Sequence, residues 1–158
     1  MRDNKWLQDK MYELWENYFV DTPRKNRVLI KFGRASKRQL GSIRWVTEKT
    51  RGMKDLLNGE NDLQAGRQEF DDERTSLIII TNHFKDTSIP YEVVTATIAH
   101  EMCHYTHGFN SPLQQLYDHP HKGGVIRREM ERRGLGGLYR TANKWLKEYW
   151  AKYLHSKH

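Results

Sequence analysis

Two histidines and a glutamate near the middle of the chain have the spacing of a metal site. His100, Glu101 and His104 form the pattern H-E-x-x-H. On an α-helix, residues four apart lie on one face about one turn from each other, so both imidazoles can bind one zinc ion. The glutamate beside the first histidine can then reach a water at that ion. The pattern therefore predicts a zinc site with His100 and His104 among its ligands.

The segment that carries the motif is predicted to be a buried helix. Pro90 suits the first helical position, and Gly108 is a typical residue just past a helix end. Residues 93–99 are apolar nearly all round, which is typical of a helix in a protein core. Burying a charged motif in such a helix costs free energy unless its groups are paired or bind a ligand. We therefore interpret the motif as a functional site rather than as a chance match.

A catalytic zinc ion usually has three protein ligands and an open position for water. The sequence offers four candidates for the third ligand, which are His107, His119, His121 and Glu129. His107 is near the same helix face but close to the helix end, whereas Glu129 lies on the next predicted helix. A metzincin pattern would need glycine and histidine where this chain has His107 and Asn110, so that class is excluded. Spacing alone leaves the third ligand open.

The remaining elements predict an α+β fold in one domain over residues 1–158. Residues 4–20 have apolar positions at helical spacing, and 50–75 form a long irregular connection. Further strands and helices are predicted over 28–32, 42–46, 76–81, 125–133 and 138–154. The second strand is expected to run antiparallel to the first. The result is a small antiparallel sheet of about three strands, packed with the N-terminal, H-E-x-x-H and C-terminal helices.

Composition limits the class of protein. The 158 residues suffice for one domain with a real core, and Cys103 is the only cysteine, so an internal disulfide is excluded. We expect Cys103 to be a small buried side chain. No apolar run reaches membrane-spanning length, and the first residues lack a signal-peptide pattern. These features predict a cytoplasmic protein with no membrane partner. We expect a monomer, although the sequence leaves the oligomeric state open.

The chain resembles the SprT-like (Spartan-type) zinc metalloproteases. The family pattern is H-E-x-x-H, a loop, a His-Gly pair and a methionine on the following helix. Here His100 to His104 is followed by His121-Lys122-Gly123-Gly124 and then by Met130. The similarity extends upstream to Arg38-Gln39-Leu40-Gly41 before a strand, and it covers most of residues 1–135.

The resemblance implies a zincin-like fold, with zinc held by His100, His104 and His121 and with Glu101 as the general base. Two features depart from the family pattern. Lys122 is inserted between the histidine and the glycine, which keeps His119 as an alternative ligand. The family's frequent C-terminal four-cysteine zinc ribbon is absent from this sequence, since Cys103 is the only cysteine.

The expected function is hydrolysis of peptide bonds in a polypeptide substrate. Some SprT-like proteins cleave proteins crosslinked to DNA, and the formal charge of +7 favours an acidic partner. The candidate contacts to single-stranded or double-stranded DNA are Lys37, Arg38, Arg127 and Arg128. Two alternatives stay open. One is a peptidase of free polypeptides that is unrelated to DNA, and the other is a zinc-containing adaptor that binds DNA or protein without significant turnover.

Overall fold

A computed structural model describes residues 1–50, 52–54 and 70–157. Within these ranges the chain forms an α+β domain with a three-stranded sheet, which confirms the predicted class. The elements in chain order are α1 (Asn4–Tyr18), β1 (Val28–Phe32), β2 (Gly41–Val46), β3 (Thr75–Ile80), α2 (Tyr91–Thr106), α3 (Val125–Arg132) and α4 (Gly136–Ser156). Most of the connection predicted over 50–75 lies outside the described residues.

The sheet is mixed, so the predicted all-antiparallel sheet is wrong for one of its two strand pairs. β3 lies in the centre, parallel to β1 and antiparallel to β2. The first two strands therefore do not pair with each other. β1 and β3 are buried almost throughout, whereas β2 is mostly half-exposed. The central position gives the backbone groups on both long edges of buried β3 a neighbouring strand to pair with.

The main core lies between the sheet and the helices. α1 contributes Leu7, Met11 and Leu14, and its first turn is capped by Asp3, whose side chain accepts a hydrogen bond from the Trp6 backbone N–H at 2.8 Å. α2 is buried along most of its length, as its apolar sequence predicts. Cys103 is fully buried within it, which confirms the expectation for that side chain.

The ends of the helices agree closely with the sequence pattern. Pro90 is the residue just before α2 rather than the first residue within it. Gly108 follows the helix with a φ of 83°, a left-handed conformation that glycine adopts without a steric penalty. The predicted pause before the last helix is present, because α3 ends at Arg132 and α4 starts at Gly136. None of the helices in the described ranges is both long and apolar enough to cross a membrane.

α4 is hydrogen-bonded to two other segments, the one that precedes β2 and the one that precedes α2. The Trp150 indole Nε1 donates to the backbone carbonyl of Lys37 at 2.9 Å, and the Tyr153 hydroxyl donates to the Asp86 carboxylate at 2.8 Å. The rings of Trp150 and Tyr153 are nearly parallel, with centroids 5.5 Å apart. These aromatic residues therefore serve packing, and they hold the segment before β2 close to α2.

Candidate metal centre

Three imidazole rings converge at one point on the surface of α2. The Nε2 atoms of His100 and His104 are 3.1 Å apart, and that of His121 lies 3.3 Å from the first and 2.9 Å from the second. Among the described residues, these three form the one group of histidine, cysteine or acidic side chains close enough together to hold a metal ion. The structure therefore brings the predicted third histidine to the predicted pair.

The loop that carries His121 accommodates the inserted Lys122. A short 3₁₀ turn over Lys122–Gly124 follows the histidine, and both of its glycines have positive φ, 76° at Gly123 and 70° at Gly124. Two consecutive left-handed residues let the chain reverse within a few positions before α3 begins. This turn allows one additional residue between the histidine and the helix without moving the imidazole away from α2.

The environment of the histidines favours the neutral imidazole. Burial lowers the pKa of His100 to about 4, and the nearby His121 adds to the shift. Burial lowers the pKa of His104 to about 3, with further contributions from the neighbouring histidines. Neutral imidazole is the form that binds metal ions, so these side chains need not lose a proton at neutral pH before binding one.

Glu101 lies beside the three imidazoles with a carboxylate that is only partly satisfied. Its side chain is 4% exposed, and its Oε2 atom is buried without a hydrogen-bond partner among the described residues. Burial raises the pKa of Glu101 to about 8. A buried carboxylate oxygen without a partner is costly, and such atoms are typical of sites that act on something absent from the protein itself.

Gly41 lets β2 run directly against Glu101, and its role was not recognised from the sequence. A Cβ atom at this position would lie 2.9 Å from Thr97 Cγ2 and 3.1 Å from Glu101 Cγ. A side chain at this position would therefore require Thr97, Glu101 or β2 to shift. A glycine that opens a predicted strand is a weak signal in sequence, because only the tertiary structure shows what approaches it.

A cleft of about 460 Å³ opens over the three histidines. β2 and the residues before it form one wall, α4 forms another, and α2 forms the floor. Its lining includes the three histidines and Glu101 together with Arg38, Gly41, Ile43, Phe109, Asn110, Tyr139 and Leu146. β2 is an edge strand, so one side of its backbone faces away from the sheet.

The other candidates for the third ligand are engaged elsewhere or exposed. His107 is fully buried, and its Nε2 lies 2.8 Å from Glu129 Oε1. Glu129 also accepts from the guanidinium groups of Arg132 and Arg133. His119 is exposed and is not part of the cluster. These positions explain why His121, and not His107, His119 or Glu129, completes the group.

The four predicted DNA contacts are all exposed at the surface. Arg38 lines the cleft, and Lys37 precedes it at the position whose carbonyl accepts from Trp150. Arg127 and Arg128 lie in the first turns of α3, where both guanidinium groups approach Gly124. Lys37 and Arg38 thus lie on the segment that precedes β2, whereas Arg127 and Arg128 lie on the segment that follows His121.

The arrangement combines a metal-binding group, a partly unsatisfied carboxylate and an open strand edge in one cleft. It can hold a cation next to a buried base, and it can receive an extended chain along β2. No protein-family model, curated protein or solved structure matches this chain.

Proposed function

We propose that the chain is a zinc-dependent endopeptidase of the SprT-like type. The observation that carries the proposal is the triangle of Nε2 atoms, with sides of 2.9 to 3.3 Å, beside the buried Glu101. Nitrogen ligands bound to zinc at about 2.0–2.1 Å in a tetrahedron are roughly 3.3 Å apart. Three imidazoles also suit zinc far better than magnesium or calcium, which prefer oxygen ligands.

Each side chain of the cluster has a distinct role in this proposal. His100, His104 and His121 hold the ion, which when bound polarises the scissile carbonyl and makes water more acidic. A cation held by the three histidines would lower the pKa of Glu101 and so favour its carboxylate form. In that form Glu101 accepts a proton from the attacking water and later delivers it to the leaving amine. Its Oε2 atom suits this role because, within the described residues, it has no other partner.

The substrate in this proposal is an extended polypeptide that pairs with the free edge of β2. Main-chain hydrogen bonds to a strand edge bind any sequence, so little side-chain preference is expected from them. The missing side chain at Gly41 keeps this edge close to Glu101, which brings a paired peptide bond near the carboxylate. Geometry of this kind supports cleavage within a chain rather than recognition of a free terminus.

The test measures bound zinc and hydrolysis of unfolded casein in wild type and in Glu101→Gln. The variant should retain wild-type zinc and lose roughly 10²–10⁴-fold in rate, because the general base is removed while the ligands stay. Glu92→Gln is a matched control, since Glu92 lies in the first turn of the same helix. Normal hydrolysis in Glu101→Gln would remove Glu101 from the chemistry. Zinc binding with no hydrolysis by the wild type would favour the adaptor function.

The proposal extends to substrates that lie close to DNA. The formal charge of +7 and the exposed Arg38, Arg127 and Arg128 support this extension. The protein should bind DNA with a strong salt dependence, and replacing Arg127 and Arg128 by alanine should reduce the salt slope by about one for each phosphate that these arginines neutralise. Lys5→Ala, an exposed change on α1, is the control. A lack of retention on DNA at low salt would leave a peptidase of free polypeptides.

A further inference from the structure

The free edge of β2 can be assigned residue by residue. The backbone N–H of Thr81 donates to the carbonyl of Leu40 at 2.9 Å, so Leu40 faces the central strand. In an antiparallel pair the backbone groups of successive residues face alternately toward and away from the partner. Gly41 and Ile43 therefore direct their N–H and C=O groups to the open side, where an added strand would bind.

The open side is already occupied at Ile43. The carboxamide Nδ2 of Asn110 donates to the Ile43 carbonyl at 3.1 Å, which agrees with the outward direction of that carbonyl. Asn110 is exposed and lines the same cleft as the three histidines. Its amide N–H thus takes the place that the main-chain N–H of a paired peptide would take.

The backbone of Asn110 is held in an unfavourable conformation by a buried chain of hydrogen bonds. Its φ is 51°, and it is the one residue other than glycine in the described ranges with a positive φ. The Ser76 hydroxyl donates to the Asn110 carbonyl at 2.6 Å, and Asn26 Nδ2 donates to the Ser76 hydroxyl at 3.0 Å. The Tyr105 hydroxyl in turn donates to Asn26 Oδ1 at 2.7 Å.

This chain of hydrogen bonds fixes the position of Asn110 at the cleft. Asn26, Ser76 and Tyr105 are buried, so they fix the Asn110 backbone independently of any substrate. Strained residues that a buried network holds in place are found preferentially at functional sites. The carboxamide is thereby aimed at the strand edge before a peptide arrives.

We infer that Asn110 is a strand cap that ends the peptide-binding edge at Ile43, and so determines which length of substrate the cleft can use. The inference rests on the proposed function, because it takes an extended polypeptide as the ligand. Gly41 lies against Glu101, and Ile43 is two residues further along, roughly 7 Å at the rise of a β-strand. On that side of the metal centre a bound peptide must leave the sheet or displace the carboxamide. Main-chain pairing is therefore short on one side of the cleft.

The experiment measures the binding of fluorescent casein peptides to the zinc-loaded Glu101→Gln protein. The peptides form nested series that grow two residues at a time at either the amino or the carboxyl end, because outward-facing groups recur at every second residue of a strand. The series are compared with and without a second change, Asn110→Gly, which removes the carboxamide and keeps a residue suited to positive φ. Asn143→Ala removes another exposed amide from the cleft wall and serves as the matched control.

With Asn110 present, the extension that brings a peptide to Ile43 should add no affinity. In Asn110→Gly the same extension, at one end only, should tighten binding about fivefold, the value of roughly one hydrogen bond. In Asn143→Ala, which keeps Asn110, the affinity should depend on peptide length in the same way as in the parent Glu101→Gln protein. Asn110→Asp is a second variant with a side chain of the same shape. Its carboxylate cannot donate a hydrogen bond to the Ile43 carbonyl, so the same peptide extension should also tighten binding in this variant.

The outcomes separate this inference from the proposed function. If casein is hydrolysed but Asn110→Gly and Asn110→Asp leave the length dependence unchanged, Asn110 only ties a loop to β2 and the inference is wrong. A loss of thermal stability without a change in length dependence has the same meaning. If nested peptides respond to Asn110 but the wild type hydrolyses nothing, the strand cap stands and the peptidase proposal fails. If no peptide binds to any variant, the inference is overturned, and hydrolysis of casein by the wild type still decides the proposed function.

Discussion

Two histidine–carboxylate groups lie one turn apart at the end of α2, and they are built in opposite ways. His104 belongs to a group in which three Nε2 atoms face one another and the neighbouring Glu101 has a carboxylate oxygen without a partner among the described residues. His107 belongs to a group in which Glu129 receives hydrogen bonds from the imidazole and from two arginines. We refer to these as the open cluster (His100, Glu101, His104, His121) and the closed cluster (His107, Glu129, Arg132, Arg133).

The comparison shows that burial alone does not identify a functional site. Glu101 and Glu129 are similarly buried, at 4% and 7% exposure. Burial raises the pKa of Glu101 to about 8. Burial acts in the same direction on Glu129, but His107, Arg133 and Arg132 outweigh it and lower that pKa to about 2. The closed cluster supplies its own counter-charges, whereas the geometry of the open cluster could hold a cation.

The largest predicted difference between the clusters concerns bound metal. His104→Ala removes one of the three proposed ligands and should abolish stoichiometric zinc, with an affinity loss of at least about 100-fold. His107→Ala lies one turn further along and should leave zinc per chain unchanged. Metal analysis of both purified variants checks the prediction. Equal zinc loss in the two variants would mean that the clusters do not differ in function.

The next largest effect is on the free energy of unfolding, and here the large effect comes from a change in the closed cluster. Glu129→Ala leaves buried His107 without its partner, removes one of the two carboxylates that pair with Arg133, and should lower the free energy of unfolding by about 3 kcal/mol. Glu131 lies on the same helix as Glu129, and Glu131→Ala removes an exposed pair with Arg140 of α4, so it should cost less than about 1 kcal/mol. Urea unfolding measures both values. A small effect of Glu129→Ala would show that the closed cluster does not hold α3 in place.

The closed cluster should also give the protein a specific sensitivity to acid. The pKa of Glu129 is depressed to about 2, so its contribution to stability is complete above the ordinary carboxyl value near 4.5 and is lost as the pH falls toward 2. The wild type should therefore lose more stability between neutral pH and pH of about 3 than Glu129→Gln does. Parallel urea titrations at the two pH values test this, and identical losses would contradict it.

The smallest predicted effect sharpens the description of the open cluster. Gly41→Ala places a methyl group against Thr97 Cγ2 and Glu101 Cγ, which should shift the carboxylate by a few tenths of an ångström and lower kcat about tenfold. Adding Thr97→Ser removes the methyl group that is met first and keeps the hydroxyl that donates to Val93. The double variant should recover part of the rate. If the double variant does not recover any of the rate, the loss of kcat in Gly41→Ala comes from a change elsewhere in β2.

The sequence predicted the local part of the open cluster and not its long-range part. His100, Glu101 and His104 lie within one helical turn, so helix geometry alone brings them together. His121 is remote in sequence, and spacing could not separate it from His107, His119 or Glu129. The resemblance to SprT-like proteins favoured His121, and the structure places it with the other two histidines.

The limits of the fold prediction have a similar origin. Helix boundaries follow from local signals such as Pro90, Gly108 and the glycines between α3 and α4. Strand order depends on which strands meet after the chain has collapsed, so β3 between β1 and β2 was not predictable from each strand by itself. The close approach of Gly41 to Glu101 and the contact of Asn110 with Ile43 depend on this strand order. They were therefore missed as well.

The most direct test of the account is a zinc-edge anomalous difference map from crystals of the zinc-loaded protein. We expect one strong peak at about 2.0–2.1 Å from the Nε2 atoms of His100, His104 and His121, with the Glu101 carboxylate beside it. No peak within this triangle, or a peak bound by His119 or by the His107–Glu129 pair, would contradict it.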